Sequence, residues 1–218
     1  MRGVSLSLAL RRIDLSRTLT VGALIALSVP GFASAQAPAA SVICQGCHGV
    51  QGEGNTAAAI PRLAGQSSEY LVKQLQDYAS GERENPVMQN FAKPLTPVDI
   101  EAIAEYFSAA RAPHAALPTA VSTRQRDLGH QLAHQGSEAK RVQACDSCHG
   151  PDGVGVLNAA PSLAGQSAEY LKSALTSFQN GTRKNDSGKL MSSVVGHLDA
   201  ADIAAASAYF SSLPAGVP

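Results

Sequence analysis

The sequence predicts an all-α protein built as two tandem, homologous helical domains, and three observations carry that reading. The second half of the chain repeats the first at an offset of 100 to 103 residues, apolar residues recur at helical spacing in each copy, and no run alternates convincingly as a strand would. At 218 residues the chain is long enough for one large or two small domains, and its 44% hydrophobic content is that of a soluble globular protein.

From the start, Arg2, Arg11, Arg12 and Arg17 accompany an apolar run from Leu19 to Val29, followed by Pro30, Gly31 and the small-residue triplet Ala33-Ser34-Ala35. That is the three-part layout of a secretory leader, so residues 1–35 are read as a signal peptide cleaved after Ala35, and a periplasmic location is expected. A membrane anchor is the competing reading, but a spanning helix needs about 20 apolar residues, roughly twice what precedes Pro30. Removing the leader takes four arginines and one aspartate from 17 basic and 17 acidic residues, leaving 13 and 16, a formal charge of −3. A nucleic-acid binder would be basic, so that class is excluded. Residues 36–117 hold five basic and eight acidic residues while residues 118–218 hold eight of each, so a partner docking on the first half is expected to be basic.

The repeat is explicit. Cys44-Gln-Gly-Cys47-His48-Gly49 is answered by Cys145-Asp-Ser-Cys148-His149-Gly150, Pro61-Arg-Leu-Ala-Gly-Gln-Ser67 by Pro161-Ser-Leu-Ala-Gly-Gln-Ser167, and Glu69-Tyr70-Leu71 by Glu169-Tyr170-Leu171. Met88 then pairs with Met191 and Tyr106-Phe107 with Tyr209-Phe210, so three residues are inserted between Gly181 and Met191, in what reads as a polar loop. Within each copy a helix is expected to start at Ser67 or Ser167, to present Leu71, Leu75 and Tyr78 or Leu171, Leu175 and Phe178 on one face, and to stop at Gly81 or Gly181. A second helix opens at Thr96-Pro97-Val98-Asp99, with Leu95 and Ile100 placed as a hydrophobic staple; its counterpart uses Asp199 as cap with Leu198 and Ile203. Arg111-Ala-Pro113-His114-Ala-Ala-Leu117-Pro118 reads as a linker, which places the domain cut near Leu117.

Chemistry enters with C-x-x-C-H. Two thiols at this spacing add to the two vinyl groups of a haem, and the adjacent histidine is then held close enough to become an iron ligand. A lone C-x-x-C competes with a thioredoxin-like redox pair, which requires a βαβ context absent here, and with half of a zinc site. All four cysteines lie in the two motifs and each motif is followed by His-Gly, which favours two covalent c-type haems, on Cys44 and Cys47 and on Cys145 and Cys148, with His48 and His149 on the irons. The mature chain has only two methionines, Met88 and Met191, at equivalent positions about forty residues beyond each motif. Core packing is the ordinary use of methionine, but unique and equivalent placement favours thioether ligation, as an electron-transfer iron requires. Among the other histidines, His130 and His134 read as a solvated helix face, His114 as an exposed linker residue, and His197 as a less favoured alternative to Met191 because the first copy has no counterpart.

The layout C-x-x-C-H-G, P-x-L-A-G-Q, E-Y-L, a G-x-R loop, a methionine and a capped helix ending in Tyr-Phe, given twice, resembles the cytochrome c4 family over nearly the whole mature sequence. The resemblance implies two class I cytochrome c domains, 36–117 and 118–218, each a small helical bundle around a covalently attached haem, related by a pseudo-twofold. It also implies that the carbonyls of Pro61 and Pro161 accept hydrogen bonds from His48 and His149. One departure stands out: the family's N-terminal helix has a counterpart in the second domain, around Leu128 and Leu132, whereas only Gln36 to Ile43 precede Cys44. The expected function is a periplasmic carrier of single electrons with no catalytic residue of its own, its partners being redox proteins such as a terminal oxidase or a cytochrome reductase, with peripheral membrane association left open. A cytochrome subunit of a dehydrogenase is the first alternative. A dihaem peroxidase is the second, and the paired methionines speak against the open iron position it would need.

Overall fold

A computed structural model describes residues 37–113, 121–156 and 160–215. The expected leader and its cleavage site, His114 and the domain cut near Leu117 lie outside the described residues. In the first half α1 spans Val42–His48, α2 Ser68–Ser80, α3 Pro86–Ala92 and α4 Pro97–Ala109; in the second, α5 spans Thr123–His134, α6 Asp146–His149, α7 Ala168–Gln179, α8 Leu190–Val195 and α9 Ala200–Ser212. Among the described residues there is no strand, only isolated bridges such as Asn55 with Ile60 and Val156 with Ala160. The all-α expectation holds.

Local chemistry accounts for the long helices. Ser67 Oγ accepts from Tyr70 N at 3.2 Å to open α2, and Gly81 closes it in the left-handed region at φ 90°. Helix α4 begins with a capping box in which Thr96 Oγ1 accepts from Asp99 N and the Asp99 carboxylate accepts from Thr96 N; Asp199 and Asp202 build the same box for α9. The equivalence of the copies is imperfect at α7, where Asn180 takes the C-cap and the helix stops one residue before the expected Gly181.

Each half has a small apolar core, Leu71 with Ile103, Ala104 and Phe107 in the first and Leu171 with Ala133, Tyr209 and Phe210 in the second. Phe107 and Phe210 press on Gly52 and Gly153, where an added Cβ would lie 2.6 and 2.7 Å from the ring. Helix α5 runs along α9, and at their crossing Gly129 is close enough that a Cβ would sit 2.4 Å from Ala205 O. In the first half the turn Ala39–Ser41 meets α4, and no counterpart of α5 occurs among the described residues.

The inserted residues lie in an exposed polar segment, as expected, with Ser187, Gly188 and Lys189 open to solvent. A 3-10 turn at Ser187–Lys189 takes up the extra length, and Asn185, 9% exposed, reaches the first half, where its Nδ2 donates to Gln74 Oε1 at 3.1 Å and its carbonyl accepts from Lys73 Nζ at 2.9 Å. Asn185, which stands 100 residues after Asn85 and so just before the inserted residues, therefore helps brace the seam between the halves.

Candidate functional site

Helix α1 carries the first motif and the short helix α6 the second, so each cysteine pair is separated by about one turn and faces one side. All four thiols are free, with Cys44 and Cys145 half-buried and Cys47 and Cys148 exposed. Burial raises the pKa of Cys44, and at Cys145 burial, reinforced by Asp146, pushes the thiol up to about 11. A thiol activated for exchange needs the opposite shift, so burial gives Cys44 and Cys145 no such activation.

His48 and His149 end these helices and are 7% and 6% exposed. His48 Nδ1 lies 2.9 Å from Pro61 O, and His149 Nδ1 lies 2.8 Å from Pro161 O. A carbonyl can only accept, so each ring carries its proton on Nδ1 and keeps its lone pair on Nε2. Burial holds both imidazoles below their ordinary pKa, against the opposing effect of the proline hydrogen bond, so both are neutral at pH 7, the form that binds metal.

Met88 and Met191 are half-buried on α3 and α8, which pack against α2 and α7. Helix α3 is not among the elements expected from the apolar spacing, but its start is signalled by Asn85 as cap followed by Pro86 in the first turn. His197 is exposed. His130 and His134 are both exposed, as expected of a solvated helix face, and His134 also has polar neighbours: its Nδ1 lies 2.7 Å from Asp146 Oδ2, and Tyr209 Oη lies 2.7 Å from its Nε2.

Two features test whether these residues suit a haem. Among the described residues, six of the eight exposed large apolar side chains lie on or beside elements that carry candidate ligands, Val42, Ile43 and Val50 around the first motif and Val87, Phe91 and Leu190 on the methionine helices; the other two are Val98 on α4 and Val156. A flat apolar ring is what such a surface would cover. Between the halves, Arg83 donates to Gln74 Oε1 at 2.7 Å and to Tyr170 Oη at 3.1 Å, while Arg183 donates to Tyr70 Oη at 3.3 Å and to the same Gln74 Oε1 at 3.1 Å. Burial raises the pKa of Tyr170, but Arg83 and Arg183 outweigh it and draw the hydroxyl down to about 8. Two guanidiniums held mainly by neutral oxygens are a ready counter-charge for carboxylates such as those of a haem. The residues fit the group. Nothing in a single sequence marks Arg83 as buried or Arg183 as half-buried; their recurrence in both copies is the available signal.

A family model described as Cytochrome c matches residues 40–110 and again residues 133–214. The crystal structure of reduced recombinant cytochrome c4 from Pseudomonas stutzeri is 36% identical with a TM-score of 0.72, over 79% of this chain and 94% of that one. This chain belongs to the cytochrome c4 family. A relative from Thiomonas intermedia (strain K12), a thiosulfate dehydrogenase electron acceptor, is 40% identical over 84% of each chain. The structure of a thiosulfate dehydrogenase from Marichromatium purpuratum in its "as isolated" form is 39% identical with a TM-score of 0.73, and the match covers 78% of this chain but 36% of that longer one. This cytochrome c4 is a dihaem-type electron carrier, and its two cytochrome c domains imply covalently bound c-type haem. No helix among the described residues is long and apolar enough to cross a membrane.

Proposed function

We propose that this cytochrome c4 is exported to the periplasm and carries two covalent haems, one on Cys44 and Cys47 between His48 and Met88, the other on Cys145 and Cys148 between His149 and Met191. It takes single electrons from a dehydrogenase that oxidises a small sulfur compound and hands them on toward a terminal oxidase. Bound iron, alternating between ferric and ferrous states, supplies the one-electron chemistry. The protein's own residues do the rest. Each cysteine pair would tether one ring, the proline carbonyls orient His48 and His149 and increase their basicity, and the methionine sulfurs would supply the second protein ligand to each iron. The domains are taken as 36–117 and 118–218, after removal of residues 1–35.

The observation that carries this reading is the buried, neutral imidazole at the end of each motif, its Nδ1 engaged by a proline carbonyl and its Nε2 lone pair left over. The donor class is supported by the relative from Thiomonas intermedia, whose name assigns it electrons from thiosulfate dehydrogenase. The second reading, a cytochrome held permanently by its dehydrogenase, draws on the Marichromatium purpuratum chain, in which the matching portion is part of a longer thiosulfate dehydrogenase chain.

One experiment addresses both. Potentiometric titration of the purified protein, followed in the visible and near-infrared, should resolve two low-spin haems with the methionine-to-iron charge-transfer band, and mass spectrometry should find two porphyrins added per chain. Stopped-flow mixing with thiosulfate-reduced thiosulfate dehydrogenase should reduce both haems in a second-order process. A single high-spin haem would remove the carrier reading in favour of a peroxidase, and copurification as a stoichiometric complex would favour the subunit.

A further inference from the structure

The peptide groups that anchor the two candidate axial histidines are each gripped by the opposite half of the molecule. Pro61 O accepts from His48 Nδ1, and the N–H of that same peptide group, on Arg62, donates to Gln166 Oε1 at 2.9 Å. Gln166 Nε2 completes the contact by donating to Arg62 O at 3.0 Å. The other half mirrors it: Pro161 O accepts from His149 Nδ1, Ser162 N donates to Gln66 Oε1 at 3.0 Å, and Gln66 Nε2 donates to Ser162 O at 2.7 Å. Gln66 and Gln166 are 6% and 4% exposed, so water competes little for these bonds.

We propose that Gln66 and Gln166 are positioning residues that act across the seam, each setting the electron-donating strength of the axial histidine in the other half. The peptide unit is a resonance system. A hydrogen bond given by its N–H shifts charge onto its carbonyl oxygen, and bonds in such a chain reinforce one another where the local dielectric is low. A more negative Pro61 oxygen pulls harder on the His48 Nδ1 proton and makes Nε2 a stronger donor, which favours the ferric state. Gln166 therefore lowers the potential of the haem held by His48, and Gln66 lowers that of the haem held by His149. An amide that served only to hold the halves together would affect both haems alike.

The inference rests on the axial roles proposed for His48 and His149. Wild-type protein without histidine-ligated haem would end that reading and leave nothing for the glutamines to tune. The test uses the haem-loaded protein with Gln166→Leu and Gln66→Leu, read by potentiometry with the haems distinguished by NMR, by the Nδ1–H resonance of each axial histidine, and by small-angle scattering to follow docking of the halves. Gln166→Leu should raise the ferrous-to-ferric ratio of the haem on Cys44 and Cys47 by about threefold at fixed poise, roughly 28 mV at 59 mV per tenfold. It should move the His48 Nδ1–H resonance and change the other haem less. Gln66→Leu should do the reverse, and Gln166→Glu, which keeps an acceptor for Arg62 N, should recover most of the shift. Equal shifts at both haems, a shift confined to the substituted half, or no shift overturns the proposal. Should a leucine variant fail to assemble, Gln166→Met, similar in length but without the acceptor, is decided by the same crossed pattern.

Discussion

A histidine whose Nδ1–H is engaged by a carbonyl has one lone pair to offer, and at His48 and His149 burial keeps that lone pair unprotonated. The opposite axial position is a question about two sulfurs. In Met88→Ala or Met191→Ala, alanine cannot replace the ligand, so the affected haem should bind carbon monoxide or added imidazole and lose its near-infrared band. Its potential should fall, shifting the ferric-to-ferrous ratio by more than about tenfold, or 59 mV. Visible and near-infrared spectra of each variant provide the check, and a native spectrum in either would remove that methionine from the iron. Mass spectrometry should still count two porphyrins in both variants, because the thioethers do not involve methionine.

At the scale of elements, caps decide what is legible. Helices α2, α4, α7 and α9 could be read from Ser67, Thr96, Ser167 and Asp199 because a cap residue, an acidic first turn and apolar spacing coincide there. The motif helices α1 and α6 were hidden, since they are short and α1 holds Gly46 at its centre, so packing and not propensity makes them helical. At the candidate site, residue type and repetition are what single out the cysteines, histidines and methionines as candidates. Residue type does not single out Gln66, Gln166, Arg83 and Arg183, because a polar residue carries no mark of burial until the halves meet. The capping boxes have a pH signature: hydrogen bonds from Thr96 hold Asp99 below the ordinary carboxylate range, and Lys140 together with backbone N–H groups does so for Asp199. A lowered carboxylate pKa gives stability that is present above the unfolded value and lost as pH falls through the folded one. Helix content by far-ultraviolet circular dichroism should therefore decline once pH drops below about 4. Thr96→Ala should cost about 1 kcal/mol at neutral pH in denaturant titrations. Gly129→Ala sets a methyl group against Ala205 O and should lower the stability of the second half by about 1–3 kcal/mol through overpacking, seen as an earlier thermal transition.

The two halves repeat each other without being equal, and the differences bear on electron entry. Helix α5 covers α9 in the second half, while α4 in the first presents Glu101 and Glu105 to solvent beside Val98, which is 74% exposed. The acidic excess of the mature chain also lies in residues 36–117, so a basic donor surface is drawn to the first half. Long-range attraction of this kind acts on encounter and is screened beyond about 8–10 Å at ordinary ionic strength. The second-order rate of reduction by thiosulfate dehydrogenase should therefore fall as salt is raised. Paired Glu101→Lys and Glu105→Lys substitutions should slow it about tenfold at low salt and flatten the salt dependence. Both side chains are exposed on the outer face of α4, away from the core residues Ile103, Ala104 and Phe107, so the two potentials should stay within experimental error. A rate that ignores both salt and the reversed charges would place electron entry elsewhere, with the second half, which carries eight basic and eight acidic residues, as the surface to examine by the same charge reversal.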